Sequence, residues 1–296
     1  MKEKPFSKYQ ILANAVMIIW TLAIILPFIL LFMSSITDEN TLVANGYSFF
    51  PKKFSLASYS YIIKSGGQIL KAYGVSIGVT VVGTLLNVLL SALMAYPLSV
   101  KNLPGRNVMM FFVFFTMLFN GGIVPSYIMW TGTFHIKDTI FAQLLPNFLL
   151  SAWNVMMIRT YFTTSIPEGL YEAAEIDGAS QFTIFWKIVL PLGKPILVTM
   201  GTFAGLAYWN DWTNGLYYIV KNTGLYNVQN LLNQMVQNIQ FLTQSSNSNV
   251  TAAASTIPAT GIQMAIAFVA ILPIMLIFPS FQKYYAKGIA LGAVKG

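Results

Sequence analysis

SIPEGLYEAAEIDGASQFTIFWKIVLP, Ser165 to Pro191, is the one long polar passage between two strongly apolar runs that also has the spacing of folded structure. Ser165 and Glu168 stand as a capping box, with Pro167 tolerated in the first helical turn, and Gly178 supplies a left-handed stop. The interval predicts a helix of about three turns. On it Glu168, Glu172 and Glu175 fall at i, i+4 and i+7, and Leu170, Ala173 and Ala174 at i, i+3 and i+4. One face is acidic and another is small and apolar. Beyond Gly178, Phe182, Phe185, Trp186 and Val189 form an aromatic stripe suited to a membrane interface, and Pro191 is expected to bend the chain into the next apolar run. Two short helices joined at a glycine elbow result. Such a unit suits docking into a basic socket on another protein, or an interfacial loop with a solvated acidic face. A helix built for anionic lipid would carry lysine and arginine, so lipid is not the partner of the acidic face.

The rest of the chain sets this unit in a membrane. Of 296 residues 56% are hydrophobic and only 9% charged, and the mean hydropathy is +0.64, whereas soluble domains carry about 25% charged residues. No polar run is long enough to bury a core of its own, so residues 1–296 form a single membrane domain. The absence of cysteine excludes disulfides and thiolate chemistry, and one histidine, His135, leaves little for imidazole. The net charge of +8 is scattered around apolar runs, which fits membrane topology and not nucleic acid.

Six spans are expected in an all-α integral membrane fold, about 11–33, 73–98, 108–130, 139–161, 190–212 and 261–281, with the permease core from about 72 to 281. Lys2, Lys4, Lys8, Lys101, Arg106, Arg159, Lys187, Lys194, Lys283, Lys287 and Lys295 then lie at or near inner ends, placing both termini and the 165–191 loop inside. A charged start followed by so long an apolar run reads as an uncleaved anchor rather than a signal peptide. Gly74 and Gly78, followed by Ser91, Ala92 and Ala95, predict close helix packing on the second span. Asn120, Gly121, Gly122 and Pro125 interrupt the third, either lining a pathway or marking a kink. Residues 34–71 and 213–258 are outer loops, the first with a short amphipathic helix over 56–63, the second ending in a Gln/Ser/Asn-rich segment over 240–255 that reads as a solvated tip.

Glu172-Ala173-Ala174, Gly178 and then Ile188-Val189-Leu190-Pro191 resemble the EAA signature of membrane permeases in bacterial binding-protein-dependent ABC importers. The resemblance implies that the loop is a cytoplasmic coupling element seated in a cleft of an ATPase subunit, with Glu168, Glu172, Ala173, Ala174, Asp177 and Gly178 at the contact and Ile188, Leu190 and Pro191 at the joint. Trp209-Asn210-Asp211-Trp212 resembles an element common in carbohydrate permeases. The terminal GAVKG is similar to the tail of maltose-importer-type permeases, implying that Gly292, Lys295 and Gly296 reach the ATPase. The resemblance covers the whole length and implies a second permease of an oligosaccharide importer in a bacterial cell membrane. Implied partners are a homologous permease, two ATP-binding cassette subunits, an extracellular solute-binding protein, a carbohydrate and membrane lipid.

No G-x-x-x-x-G-K-[ST] run is present. The chain therefore does not cradle nucleotide phosphates in that way itself, and energy comes from a separate subunit or an ion gradient; the resemblance implies a transport subunit rather than an enzyme, with no cofactor in this chain and ATP and magnesium used by a partner ATPase. Peptide or polyamine permeases share the EAA loop, and an ion-coupled transporter would have to use Asp211. Trp209 and Trp212 are either aromatic-belt residues or, with Asn210 and Asp211, part of a sugar path.

Overall fold

The computed structural model of the chain describes residues 8–64, 66–244 and 259–293, which are almost entirely helical. Three helices are each long and apolar enough to cross a bilayer, and two pairs broken by sharp bends bring the number to five. The chain divides into two compact units.

The first unit holds residues 1–69 and 232–273. Its opening helix α1, Lys8–Ser35, is exposed along its length until Ser34 and Ser35, which are buried. There Ser35 Oγ lies 2.7 Å from Tyr59 Oη, and Phe32 packs on Phe268 with ring centroids 4.9 Å apart. Short helices α2, Glu39–Asn45, and α3, Ala57–Lys64, follow, the second matching the amphipathic helix expected over 56–63. Its Ile62 packs on Ile262, Ala265 and Ile266. Glu39 holds the first turn of the final helix, Ala259–Ala293, accepting hydrogen bonds from the Thr260 and Gly261 N–H groups at 2.8 Å each. Those amides are among the four that a helix start leaves unpaired, and a carboxylate also suits the positive end of the helix dipole. This helix runs on through Pro273 and Pro279.

The second unit holds residues 70–231 and 274–296. It begins in α4, Gly66–Ser99, and continues into α5, Arg106–Leu118, which meets α6, Ile123–Ile128, and the π-helical turn Met129–Thr133 across a bend of 108°. The break falls at Asn120–Gly122 as the sequence suggests, with Gly122 at φ +84°. The fourth expected span is not one helix. A single turn, α7 (Phe141–Leu144), is followed by irregular backbone and then α8, Ala152–Ser165. Pro146 lacks the N–H a helix needs, and Asn147 is left-handed at φ +68°.

After the 165–191 region, α12, Lys194–Asn210, packs along α8, and α13, Thr213–Tyr218, on α7. α14, Val228–Gln244, is a 17-residue helix inside what reads as an outer loop, so the expected solvated tip is helical to Gln244; residues 245–255 lie outside the described residues. The close packing expected at Gly74 and Gly78 is not made within the chain, where both face open space. Contact shifts along α4 to the buried Ser91, Ala92 and Ala95, and to Thr84 and Val88, against which Gly205 and Gly201 of α12 pack.

A surface clasp closes two loops of this unit. Asp138 Oδ1 accepts from the backbone N–H of Val220 and Lys221, both at 2.7 Å, and of Asn222 at 3.2 Å, while Tyr127 and Tyr218 stack 5.7 Å apart. The Lys221 amide, with those of its neighbours, holds the Asp138 carboxyl below its ordinary value. A lowered folded-state pKa stabilises the clasp above the unfolded pKa, and that contribution is lost as pH falls through the folded value. Hydrogen exchange of residues 218–226, taken relative to the intrinsic rate at each pH, should therefore accelerate as pH drops below about 4 in the parent chain. In Asp138→Ala it should be fast throughout and lose this added pH dependence; an unchanged profile would remove the clasp from the account.

Candidate functional site

The 165–191 region is two helices folded back on the ends of α4 and α8. Pro167 disfavours helical backbone at Ile166, which is extended and buried, so α8 ends at Ser165. The expected capping box is therefore not formed: Ser165 belongs to the preceding helix, and Pro167 itself is the N-cap of α9, Glu168–Ile176, without a side-chain cap. The first turn is held instead by Lys101, whose ammonium pairs with Glu168. Its other end is the glycine stop the sequence predicts. Gly178 has φ +75°, its N–H bonds Glu175 O at 3.0 Å, and the Ala179 N–H bonds Ala174 O at 2.9 Å. These paired bonds are a Schellman cap.

Ser180 then caps α10, Gln181–Ile184, accepting from the Thr183 N–H at 3.2 Å. A π-helical turn, Phe185–Val189, and α11, Leu190–Leu192, carry it to Gly193. There the path turns 79° into α12. The bend expected at Pro191 thus lies two residues later, because Pro191 occupies the first turn of a helical segment, where proline is accepted. Gly193 is required by contact: a Cβ there would meet Phe162 Cε1 at 2.6 Å and Val189 O at 2.9 Å.

Burial sorts this region into an inner and an outer face. Ala174, Ile184, Phe185 and Val189 are buried in one core with Ala92, Tyr96, Ile158 and Phe162, and Tyr171, Ile188 and Leu190 pack against it. Ala174 thus faces its own chain, as do Phe185 and Val189 of the aromatic stripe. Glu168, Glu172, Ala173, Glu175, Asp177, Gly178 and Pro191 are exposed. Among them stand Ile176, 86% exposed, and Phe182, 68% exposed. The outward surface therefore mixes exposed apolar side chains, Leu170 and Trp186 among them, with carboxylates, a composition suited to a protein partner that offers basic groups.

Tyr96, near the end of α4, ties this surface to the membrane helices. Its hydroxyl donates to Gln181 Oε1 at 2.5 Å, and Gln181 Nε2 donates to Glu175 Oε1 at 2.7 Å. Its ring lies 6.4 Å from that of Tyr171 and 5.4 Å from that of Phe185. Arg159 of α8 donates to Leu98 O at 3.1 Å. Tyr96, Gln181, Ile176 and Gly193 have no role in the sequence reading, and Lys101 enters it only as one of the basic residues near inner ends. Ile176, one apolar residue between Glu175 and Asp177, is the position the sequence signals.

The Trp209–Trp212 element divides as well. Trp209 is buried and its ring lies 6.3 Å from that of Tyr73. Asp211, 5% exposed, accepts at Oδ1 from the Thr213 N–H and hydroxyl and the Asn214 N–H at 2.7–3.3 Å, securing the start of α13, and its carbonyl takes Asn227 Nδ2 at 2.6 Å. Asn227, Asn230 and Gln143 extend this into a buried amide network. Asn210 and Trp212 are the exposed members. Gly292 lies at the end of the final helix, and Lys295 and Gly296 lie outside the described residues.

Comparison with known proteins agrees with these features. The family model of the binding-protein-dependent transport system inner membrane component matches residues 72–291. Protein LplC of Bacillus subtilis (strain 168) is 36% identical over 272 residues, 92% of this chain and 90% of the relative. The polygalacturonan/rhamnogalacturonan transport system permease protein YtcP of the same organism is 36% identical over 288 residues, 97% and 98% of the two chains. A chain from the crystal structure of a bacterial ABC transporter involved in the import of the acidic polysaccharide alginate superposes with a TM-score of 0.79 at 26% identity, covering 95% of this chain and all of that one. With its apolar helices and the match over residues 72–291, the chain belongs to the family of binding-protein-dependent transport system inner membrane components, the membrane permease subunits of ABC importers.

Proposed function

We propose that the chain forms, with a homologous permease, the membrane path of an importer for oligosaccharides delivered by an extracellular solute-binding protein. Two ATP-binding cassette subunits would supply the energy from ATP and magnesium. Both termini and the α9–α10 unit lie on the inner side in this reading. Relatives that carry polygalacturonan, rhamnogalacturonan and alginate make acidic oligosaccharides the first solutes to test. The observation that carries the proposal is the outward face of α9 and α10, exposed apolar groups mixed with carboxylates on a unit pinned to α4 and α8.

In this reading Glu168, Glu172, Ala173, Asp177, Gly178, Ile176 and Phe182 meet the ATPase, and Ala174 seats the helix against its own chain. Ile188, Leu190 and Pro191 form the joint to α12, and Gly292, Lys295 and Gly296 make the C-terminal contact. Closure of the ATPase dimer moves α9, and Tyr96 and Lys101 pass that movement to the end of α4. Trp209 and Asp211 hold the outer end of the path in shape, while Asn210 and Trp212 are its exposed groups. Asp211 Oδ1 is engaged by Thr213 and Asn214 while its Oδ2 is buried without a hydrogen-bond partner, and it is membership of an ATP-driven importer family that makes ion coupling the lesser alternative.

Gly178→Val places a β-branched residue where the backbone is left-handed, costing about 1–2 kcal/mol locally. In reconstituted importer it should lower uptake by about tenfold or more, the factor about 1.4 kcal/mol carries, while ATP hydrolysis persists and the complex stays assembled. Uptake equal to the parent would end the coupling role. Gly193→Val forces the Phe162 ring aside and should lower both uptake and thermal stability. Alanine at 193 should cost less in each, and equal stability of all three chains would show that the joint tolerates the side chain.

A further inference from the structure

The interruption of the fourth expected span, Leu145–Ser151, is furnished with hydrogen-bond partners from three other elements. Tyr208 Oη of α12 donates to Leu144 O at 2.9 Å, Asn214 Nδ2 of α13 to Pro146 O at 3.1 Å, and Asn87 Nδ2 of α4 to Phe148 O at 2.6 Å. All three donors are buried, and Asn154 of α8 in turn donates to Asn87 Oδ1 at 2.7 Å. Every second carbonyl from Leu144 to Phe148 thus has a dedicated side-chain donor. The break in the third span differs: residues 118–125 are exposed, and Gly122 there donates to Asn120 Oδ1 and accepts from Ser126 Oγ, both its own near neighbours.

The fourth-span break also lies deep. At about 1.5 Å per residue the 14 residues of Ala152–Ser165 put it roughly 21 Å from the α9 end, inside a hydrocarbon core of about 30 Å. Irregular backbone survives at that depth where protein buries it or where it borders a water-filled cavity. Here both conditions meet on one short segment: the Leu144, Pro146 and Phe148 carbonyls are paired with buried donors, while Asn147 is exposed. Asn147 is held left-handed at φ +68°, and its Nδ2 reaches Asn214 Oδ1 at 3.3 Å. Its carboxamide keeps an unused N–H and an oxygen, the pair that hydroxyl groups of a sugar bind.

We infer that the Leu145–Ser151 break lines the solute path, with the Asn147 carboxamide presented to hydroxyl groups of the passing carbohydrate. This deepens the importer reading and rests on it. Broken helices at the bilayer midplane form the substrate sites of other transporter folds for the same physical reason, since only there is polar backbone affordable in lipid.

The chain contains no cysteine, so a single introduced thiol reports without background. In the assembled importer, Asn147→Cys should react with a small, charged, membrane-impermeant thiol reagent in at least one of two states, nucleotide-free or trapped with ATP and vanadate. Reaction should be an order of magnitude faster than at Leu85→Cys, on the exposed apolar face of α4, and should block ATP-dependent uptake. Should the left-handed backbone refuse cysteine, Leu150→Cys in the same break carries the same readout. A thiol as unreactive as that at position 85 in both states, in complexes that still transport, overturns the inference and leaves the importer reading intact. Loss of ATP-dependent uptake by the parent complex would instead overturn that reading.

Discussion

Inside a bilayer a peptide group that leaves the helical ladder has no water to turn to, and much of this chain follows from that one constraint. Besides the turn at Gly193, two breaks interrupt the expected spans among the described residues, and each is stabilised in its own way. At Asn120–Gly122 glycines let the chain turn sharply at an exposed position. At Leu145–Ser151 the backbone leaves the helical ladder inside the packed helices, where Asn87, Asn214 and Tyr208 donate to the Phe148, Pro146 and Leu144 carbonyls. A chain with only 9% charged residues manages this with neutral amides and a phenol, which pair without the desolvation cost of ions.

The same economy governs the α9–α10 unit. Its inner residues share a core with α4, α8 and α12, so the unit is an extension of the membrane helices and not a loop resting on them. Lys101 and Glu168 at one end, Tyr96 and Gln181 at the other, give it two attachments to the end of α4. Two separated attachments resist rotation as well as translation, which a single hinge contact could not do. The exposed ion pair adds little energy of its own. Its use is geometric, because it fixes the start of a helix that has no side-chain cap.

Much of this was legible in the residues. Glu172-Ala173-Ala174 with Gly178 announced the helix and its stop, since a left-handed C-terminal residue is a local demand that glycine meets wherever it occurs. Long apolar helices were readable for the reason that hydropathy is additive along a window. The start of α9 was misread because Ser165-x-x-Glu168 satisfies the capping pattern while Pro167 forbids the backbone that pattern needs. The fourth span was misread because a window of apolar residues does not register where the helix stops, and Pro146 alone can kink a helix without ending it. α14 was hidden by its amide-rich composition, which resembles that of a solvated tip. Tyr96, Gly193 and the donors to Leu144, Pro146 and Phe148 act across distant parts of the sequence, and nothing local marks them.

Glu39 and the last helix carry a consequence for biogenesis. The Thr260 and Gly261 amides that Glu39 holds are made 221 and 222 residues after it. Until those amides are made, Glu39 lacks them as partners, and α3 lacks the surface of Ile262, Ala265 and Ile266 on which Ile62 settles. The first segment of the chain therefore completes its packing only when the last helix arrives. Arrival of the C-terminal helix is thus the event that closes the first unit, and a chain truncated before residue 260 would leave Glu39 and Ile62 without these partners.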